Sequence, residues 1–88
     1  MEIAYTIEAQ ADLEYWKKKG TDAIRGKISQ LIESISETPY SGVGKPEPLR
    51  YELAGLWSRR IDRKNRIIYS VSDDIVYILS MKGHYNDK

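Results

Sequence analysis

Residues 66–81, RIIYSVSDDIVYILSM, read as two strands joined by a tight turn. Ser72, Asp73 and Asp74 are turn formers, because their short polar side chains bond the local backbone and Asp tolerates left-handed geometry. Arg66 to Ser72 forms the strand before the turn and Ile75 to Met81 the strand after it. Ile75, Val76, Tyr77, Ile78 and Leu79 form an unbroken apolar run, the pattern of a central strand covered on both faces. Immediately upstream, Leu56 to Asp62 reads as another strand, joined through a turn at Arg63 to Asn65. Before it, Leu49, Tyr51 and Leu53 alternate as a strand that Ala54 and Gly55 turn into the next. Consecutive strands with such short connections are antiparallel neighbours.

Helices precede this sheet. Ile24, Ile28, Leu31, Ile32 and Ile35 recur at helical spacing after a Thr21 cap, and Pro39 ends the run. An earlier helix runs from a Thr6 cap to about Lys19, with Ala9, Leu13 and Trp16 on one face, Lys17, Lys18 and Lys19 in its last turn, and Gly20 as the stop. Ile3 and Tyr5 alternate as a short first strand. Between helices and sheet, TPYSGVGKPEP at residues 38–48 holds three Pro and two Gly without a period and is a loop of the kind that carries function. The order βααββββ predicts an α+β domain, with both helices packed on one face of a mostly antiparallel sheet.

The 88 residues suit one domain, residues 1–88, since domains hold roughly 100 to 200 residues. Hydrophobic residues at 41% and charged residues at 31% are too balanced for a disordered chain. With no Cys and one His, disulfides, thiolate catalysis and Cys/His zinc patterns are excluded, metal chemistry would need carboxylates alone, and no cofactor or metal is expected. Residues 1–10 lack a basic start and apolar stretch, and no run approaches about 18 apolar residues, so a cytoplasmic protein without a membrane partner is expected. The net charge is +1, yet residues 45–66 carry seven cations against three anions, a local +4. A basic field on a nearly neutral protein points to an anion bound at one place.

Three features invite a joint explanation: Glu47 within KPEP, arginines on successive strands at Arg59, Arg60 and Arg66, and His84 with Tyr85 just past the last strand. Side chains alternate along a strand, so Trp57, Arg59 and Ile61 share one side while Ser58, Arg60 and Asp62 share the other. If Trp57 and Ile61 face the helices, Arg60 points outward into a concavity and Arg59 lies near an edge. A carboxylate, guanidinium groups and an imidazole are what metal-free RNA cleavage requires: a base for the 2'-OH, positive charge for the phosphorane oxygens and an acid for the leaving 5'-oxygen. Taken singly, each has a plainer reading: an exposed loop carboxylate, surface ion pairs and a bystander histidine near the terminus. Pattern alone supports an α+β domain with an anion-binding sheet face.

The stretch GKPEPLRYELAGLWSRRIDRKNRIIYSV at 44–71, followed by KGHY at 82–85, resembles the YoeB/Txe toxins of the RelE/ParE superfamily. The likeness extends through Tyr15, Trp16 and residues 38–49, nearly the whole chain. It implies a RelE-like fold and the toxin of a type II toxin–antitoxin system, an mRNA interferase that enters the ribosomal A site and cuts mRNA. Position by position, the resemblance implies Glu47 as general base, His84 as general acid and Arg66 as the arginine stabilising the transition state. It implies that Arg60 and Tyr85 hold the scissile phosphate, and that Lys45 and Arg50 bind or steer RNA. Family members commonly have Lys at position 50, and some have His where this chain has Tyr51, so no imidazole acts there. The implied partners are the ribosome, its mRNA and a cognate antitoxin of the YefM/Axe kind, and some relatives are homodimers. A noncatalytic alternative is a ParE-like gyrase inhibitor, or an inactivated toxin that only binds its antitoxin.

Overall fold

The computed structural model describes residues 1–83. Its elements are β1 (Glu2–Tyr5), α1 (Ile7–Lys19), α2 (Asp22–Glu37), β2 (Glu47–Pro48), a 3-10 turn (Tyr51–Leu53), β3 (Trp57–Arg60), β4 (Arg66–Ser72) and β5 (Ile75–Ser80). The expected order and α+β class are both present. Five strands form one sheet in the order β1-β5-β4-β3-β2; β1 runs parallel to β5 and every other pair is antiparallel.

Both helices begin where a threonine oxygen takes an orphan N–H: Thr6 accepts from Ala9 and Thr21 from Ile24. The Thr6 hydroxyl also donates to the Leu79 carbonyl, fixing the start of α1 on β5. Gly20 stops α1 for want of space: its φ is −78°, and a Cβ there would meet the Trp16 carbonyl oxygen at 2.6 Å. Ala9, Trp16, Ile28, Leu31 and Ile35 from the helices bury against Ile67, Tyr69, Val76, Ile78 and Met81. Trp16 covers its polar edge by donating Nε1–H to the Met81 carbonyl at 2.7 Å, while Asp12 accepts from the Met81 N–H at 2.8 Å. Met81 is therefore held by α1 through both its N–H and its carbonyl.

Two expectations are corrected. The alternating Leu49, Tyr51 and Leu53 are not a strand. Ladder pairing ends at Pro48, and Tyr51 adopts φ 58°, which starts a 3-10 turn closed by Leu53 N–H to Arg50 and Ala54 N–H to Tyr51. The strand lies earlier, at Glu47–Pro48, where the missing proline N–H is tolerated because β2 is an edge. Second, β5 is internal but covered by helices on one face only: Val76 and Ile78 are fully buried, whereas Tyr77 is exposed. The Asp73–Asp74 turn has φ of 54° and 65°, the double left-handed geometry that matches hairpin twist.

Candidate functional site

Cross-strand partners share a sheet face, so the register fixes which side chains meet. Trp57–Tyr69 and Arg59–Ile67 lie on the helix side. Glu47–Ser58, Ser58–Ile68, Ile68–Ser80 and Arg60–Arg66 lie on the opposite face. Glu47, Arg60 and Arg66, nominated from sequence, are thus brought to one surface. Arg66 Nη1 donates to Glu47 Oε1 at 3.4 Å, with 63% of the Glu47 side chain and 25% of the Arg66 side chain exposed. A long, wet ion pair of this kind is worth about 0 to 1 kcal/mol. Either group can therefore exchange its partner for a ligand at little cost. Arg60 is half-buried, and among the described residues it forms no salt bridge.

Glu47 is presented by a loop with an internal anchor. Arg59, expected near an edge, is instead fully buried on the helix side. All five of its N–H donors are used: Nε to the Tyr69 hydroxyl, Nη1 to Ser34 Oγ and the Val43 carbonyl, and Nη2 to the Thr38 and Ser41 carbonyls. The Tyr69 hydroxyl in turn donates to the Pro39 carbonyl at 2.6 Å. Burial pushes the Tyr69 phenol above its ordinary range, and the neighbouring guanidinium offsets part of that rise. Backbone dipoles replace a counter-carboxylate here, and they come from the loop that leads to Glu47. At its end, Gly44 has φ +85° and its carbonyl accepts from Arg60 N–H at 2.7 Å; a Cβ there would meet Leu31 Cδ2 at 2.5 Å. Lys45, at φ 53°, and Arg50 are exposed on either side of Glu47 in the chain.

The turn after β3 carries a second anchor. Asp62 Oδ1 accepts from the backbone of Lys64 and Asn65 and from the Asn65 amide. Burial works to raise the Asp62 carboxyl, but these donors and the Lys64 charge outweigh it and hold it below its ordinary range. Asn65 Oδ1 then accepts from Gly83 N–H at 2.8 Å, and Arg66 N–H donates to the Gly83 carbonyl at 2.9 Å. Gly83 is thereby fixed beside the backbone of Arg66. His84 and Tyr85, also nominated from sequence, lie outside the described residues.

Sequence reasoning named Arg59 but placed it near an edge, and it did not single out Asn65 or Ser58 as site-building residues. Ser58 is fully buried opposite Glu47, and its Oγ has no hydrogen-bond partner among the described residues. Only the alternation that put Arg59 beside Trp57 and Ile61 hinted that a cation had to be buried. This face combines a carboxylate with two guanidinium groups, a set able to hold a phosphodiester and accept a proton beside it. Among the described residues, no three of Asp, Glu, His and Cys converge as metal ligands, and no helix is long and apolar enough to cross a membrane. A cavity lined by Leu13, Trp16, Lys17, Arg25, Ile28 and Ser29 lies between the helices, on the other side of the sheet.

Comparison with known proteins adds an independent line. The family described as YoeB-like toxin of bacterial type II toxin–antitoxin system matches residues 5–85. The chain is 39% identical over 85 residues to Toxin YoeB of Escherichia coli K12, covering 97% of this chain and 100% of that one. A YoeB/ParE toxin from Agrobacterium tumefaciens superposes with TM-score 0.90 at 36% identity, over 97% of this chain and 100% of that chain. A YoeB dimer and a YoeB–YefM complex, both from Staphylococcus aureus, match at TM-scores 0.85 and 0.84, each at 35% identity over 97% of this chain and 98% of the other.

Proposed function

The chain belongs to the family of YoeB-like toxins of bacterial type II toxin–antitoxin systems, and on that premise we propose that it is a metal-independent, ribosome-dependent mRNA endoribonuclease. The observation that carries this reading is the exposed contact between Glu47 and Arg66 on a sheet face shared with Arg60. Glu47 takes the proton of a ribose 2'-OH as the oxygen attacks the adjacent phosphorus. Arg66, released from the carboxylate, binds the oxygens on which charge accumulates, and Arg60 with Tyr85 holds the phosphate. His84 gives its proton to the departing 5'-oxygen. The P–O5' bond breaks, leaving a 5'-OH and a 2',3'-cyclic phosphate that water can open to a 3'-phosphate. Lys45 and Arg50 steer the RNA backbone. Two features support this arrangement: the Arg59 anchor orders the Glu47 loop, and Gly83, the residue before His84, is bonded beside Arg66.

The reaction places the protein in the cytoplasm, at the ribosomal A site. Its restraint is a cognate antitoxin, in keeping with the YoeB–YefM complex of the Staphylococcus relative, and the dimer of that relative makes self-association a second expected assembly. Primer extension on translated mRNA tests the nuclease reading. New 5' ends within codons are expected with the wild-type chain and not with Glu47→Ala or His84→Ala. Cleavage unchanged in both variants removes the assigned roles; gyrase inhibition without cleavage replaces the reading with the noncatalytic one.

A further inference from the structure

Ser58 is the one buried side-chain polar group among the described residues without a hydrogen-bond partner, and it lies directly across the ladder from Glu47. Such groups are rare in folded proteins and call for an explanation. Cβ atoms of opposed residues are about 4.5 to 5.5 Å apart on their common face, within reach of a hydroxyl-to-carboxylate bond. In the free chain the carboxylate leans instead to Arg66, at the long distance of 3.4 Å. A phosphate that engages Arg66 takes that partner away, and the Ser58 hydroxyl, opposite Glu47 in the ladder, is an unspent donor.

We propose that Ser58 is a positioning residue that takes over the Glu47 carboxylate when substrate phosphate withdraws Arg66. The inference rests on the nuclease reading above. A general base must keep one oxygen lone pair aimed at the 2'-OH, and a carboxylate on a two-residue edge strand, 63% exposed, has little else to fix its rotamer. The donated hydrogen bond holds one oxygen and leaves the other facing the nucleophile. The unpaired hydroxyl of the free state is then a reserve kept for the bound state, at the expense of stability before binding.

The test is a double-mutant cycle in single-turnover cleavage on programmed ribosomes, with Ser58→Ala and Ser58→Thr each placed in the wild-type and Glu47→Gln backgrounds. Ser58→Ala is expected to slow cleavage about 3- to 10-fold, the size of one ordinary hydrogen bond, with apparent ribosome affinity within about twofold of wild type. Ser58→Thr retains most of the rate. In the Glu47→Gln background the Ser58→Ala effect shrinks to less than about twofold. Thermal unfolding of Ser58→Ala is expected at or above the wild-type temperature, since an orphaned hydroxyl is removed. An equal slowing in both backgrounds, an unchanged rate in Ser58→Ala, or a slowing matched by lost ribosome affinity overturns the proposal. Where Glu47→Gln activity lies below detection, rescue by Ser58→Thr together with the unfolding temperature decides it. A wild-type chain that leaves translated mRNA intact defeats the nuclease reading itself, a result distinct from all of these.

Discussion

Glu47 on β2 reaches Arg66 on β4 across the intervening strand β3, so the acid and the cation belong to strands that do not pair with each other. Their shared floor is Ser58, Arg60 and Ile68, and the contact depends on the register of three strands at once.

Because that pair is exposed, it is expected to matter for turnover and hardly at all for folding. Arg66→Ala should lower cleavage by about 10²- to 10³-fold, while equilibrium unfolding in urea shifts by no more than about 1 kcal/mol. The two assays run on one protein preparation separate the roles. An unfolding loss that tracks the activity loss would contradict the assignment.

Arg59 behaves oppositely. Replacement by Met removes a guanidinium that satisfies three loop carbonyls, Ser34 and Tyr69. A loss of about 3 kcal/mol or more is expected in urea, since hydrogen bonds to charged groups contribute about 1.5 to 3 kcal/mol each and water recovers only part of them. Limited proteolysis is expected to cut within residues 38–44 faster in Arg59→Met than in the wild-type chain.

Gly44→Ala tests the same loop from its other end. An alanine must hold φ +85° and seat its methyl against the buried Leu31, so a destabilisation of about 1 to 3 kcal/mol is expected. Since the Gly44 carbonyl fixes Arg60 N–H, cleavage should fall further than the stability change explains. Circular dichroism melting beside the ribosome assay provides the comparison.

Three ionisations are displaced: burial raises Tyr5 and Tyr69, and Asp62 is lowered; the last two belong to the anchors of the site. Tyr69 titrates above its usual value near 10. Its neutral phenol therefore contributes stability that is complete below the unfolded value and lost as pH rises through the folded one. Asp62 is displaced downward, so its contribution is present above the unfolded value of about 3.9 and fades as pH falls through the folded one. Melting temperature against pH should drop at the alkaline end in the wild type and less so in Tyr69→Phe. Asp62→Asn should flatten part of the acid limb, a small effect because the group is solvent-screened.

The helices were readable because caps and periodicity agree: Thr6 and Thr21 begin runs whose apolar faces meet the sheet. The last hairpin was readable because Asp73–Asp74 admits one kind of turn. Residues 49–53 misled because alternation reports which side chains find shelter, and a 3-10 turn with Leu53 half-buried and Tyr51 exposed imitates it. Glu47, Arg60 and Arg66 were nominated from residue type and likeness, and strand parity then brought them together. Arg59 was misplaced at an edge because three of its five partners are carbonyls, which carry no mark in a sequence. Ser58 escaped for a related reason: a missing hydrogen bond is visible only once all the neighbours are known.

The sheet order has a consequence for biosynthesis. The last strand to be made, β5, enters between β1 and β4 instead of adding to an edge. A nascent chain lacking it has β1 with no neighbour and a core without Val76, Ile78 or Met81. Prematurely terminated products are therefore expected to be unfolded, not weakly toxic, and the cell that makes this chain is exposed to it only after translation has passed the final strand.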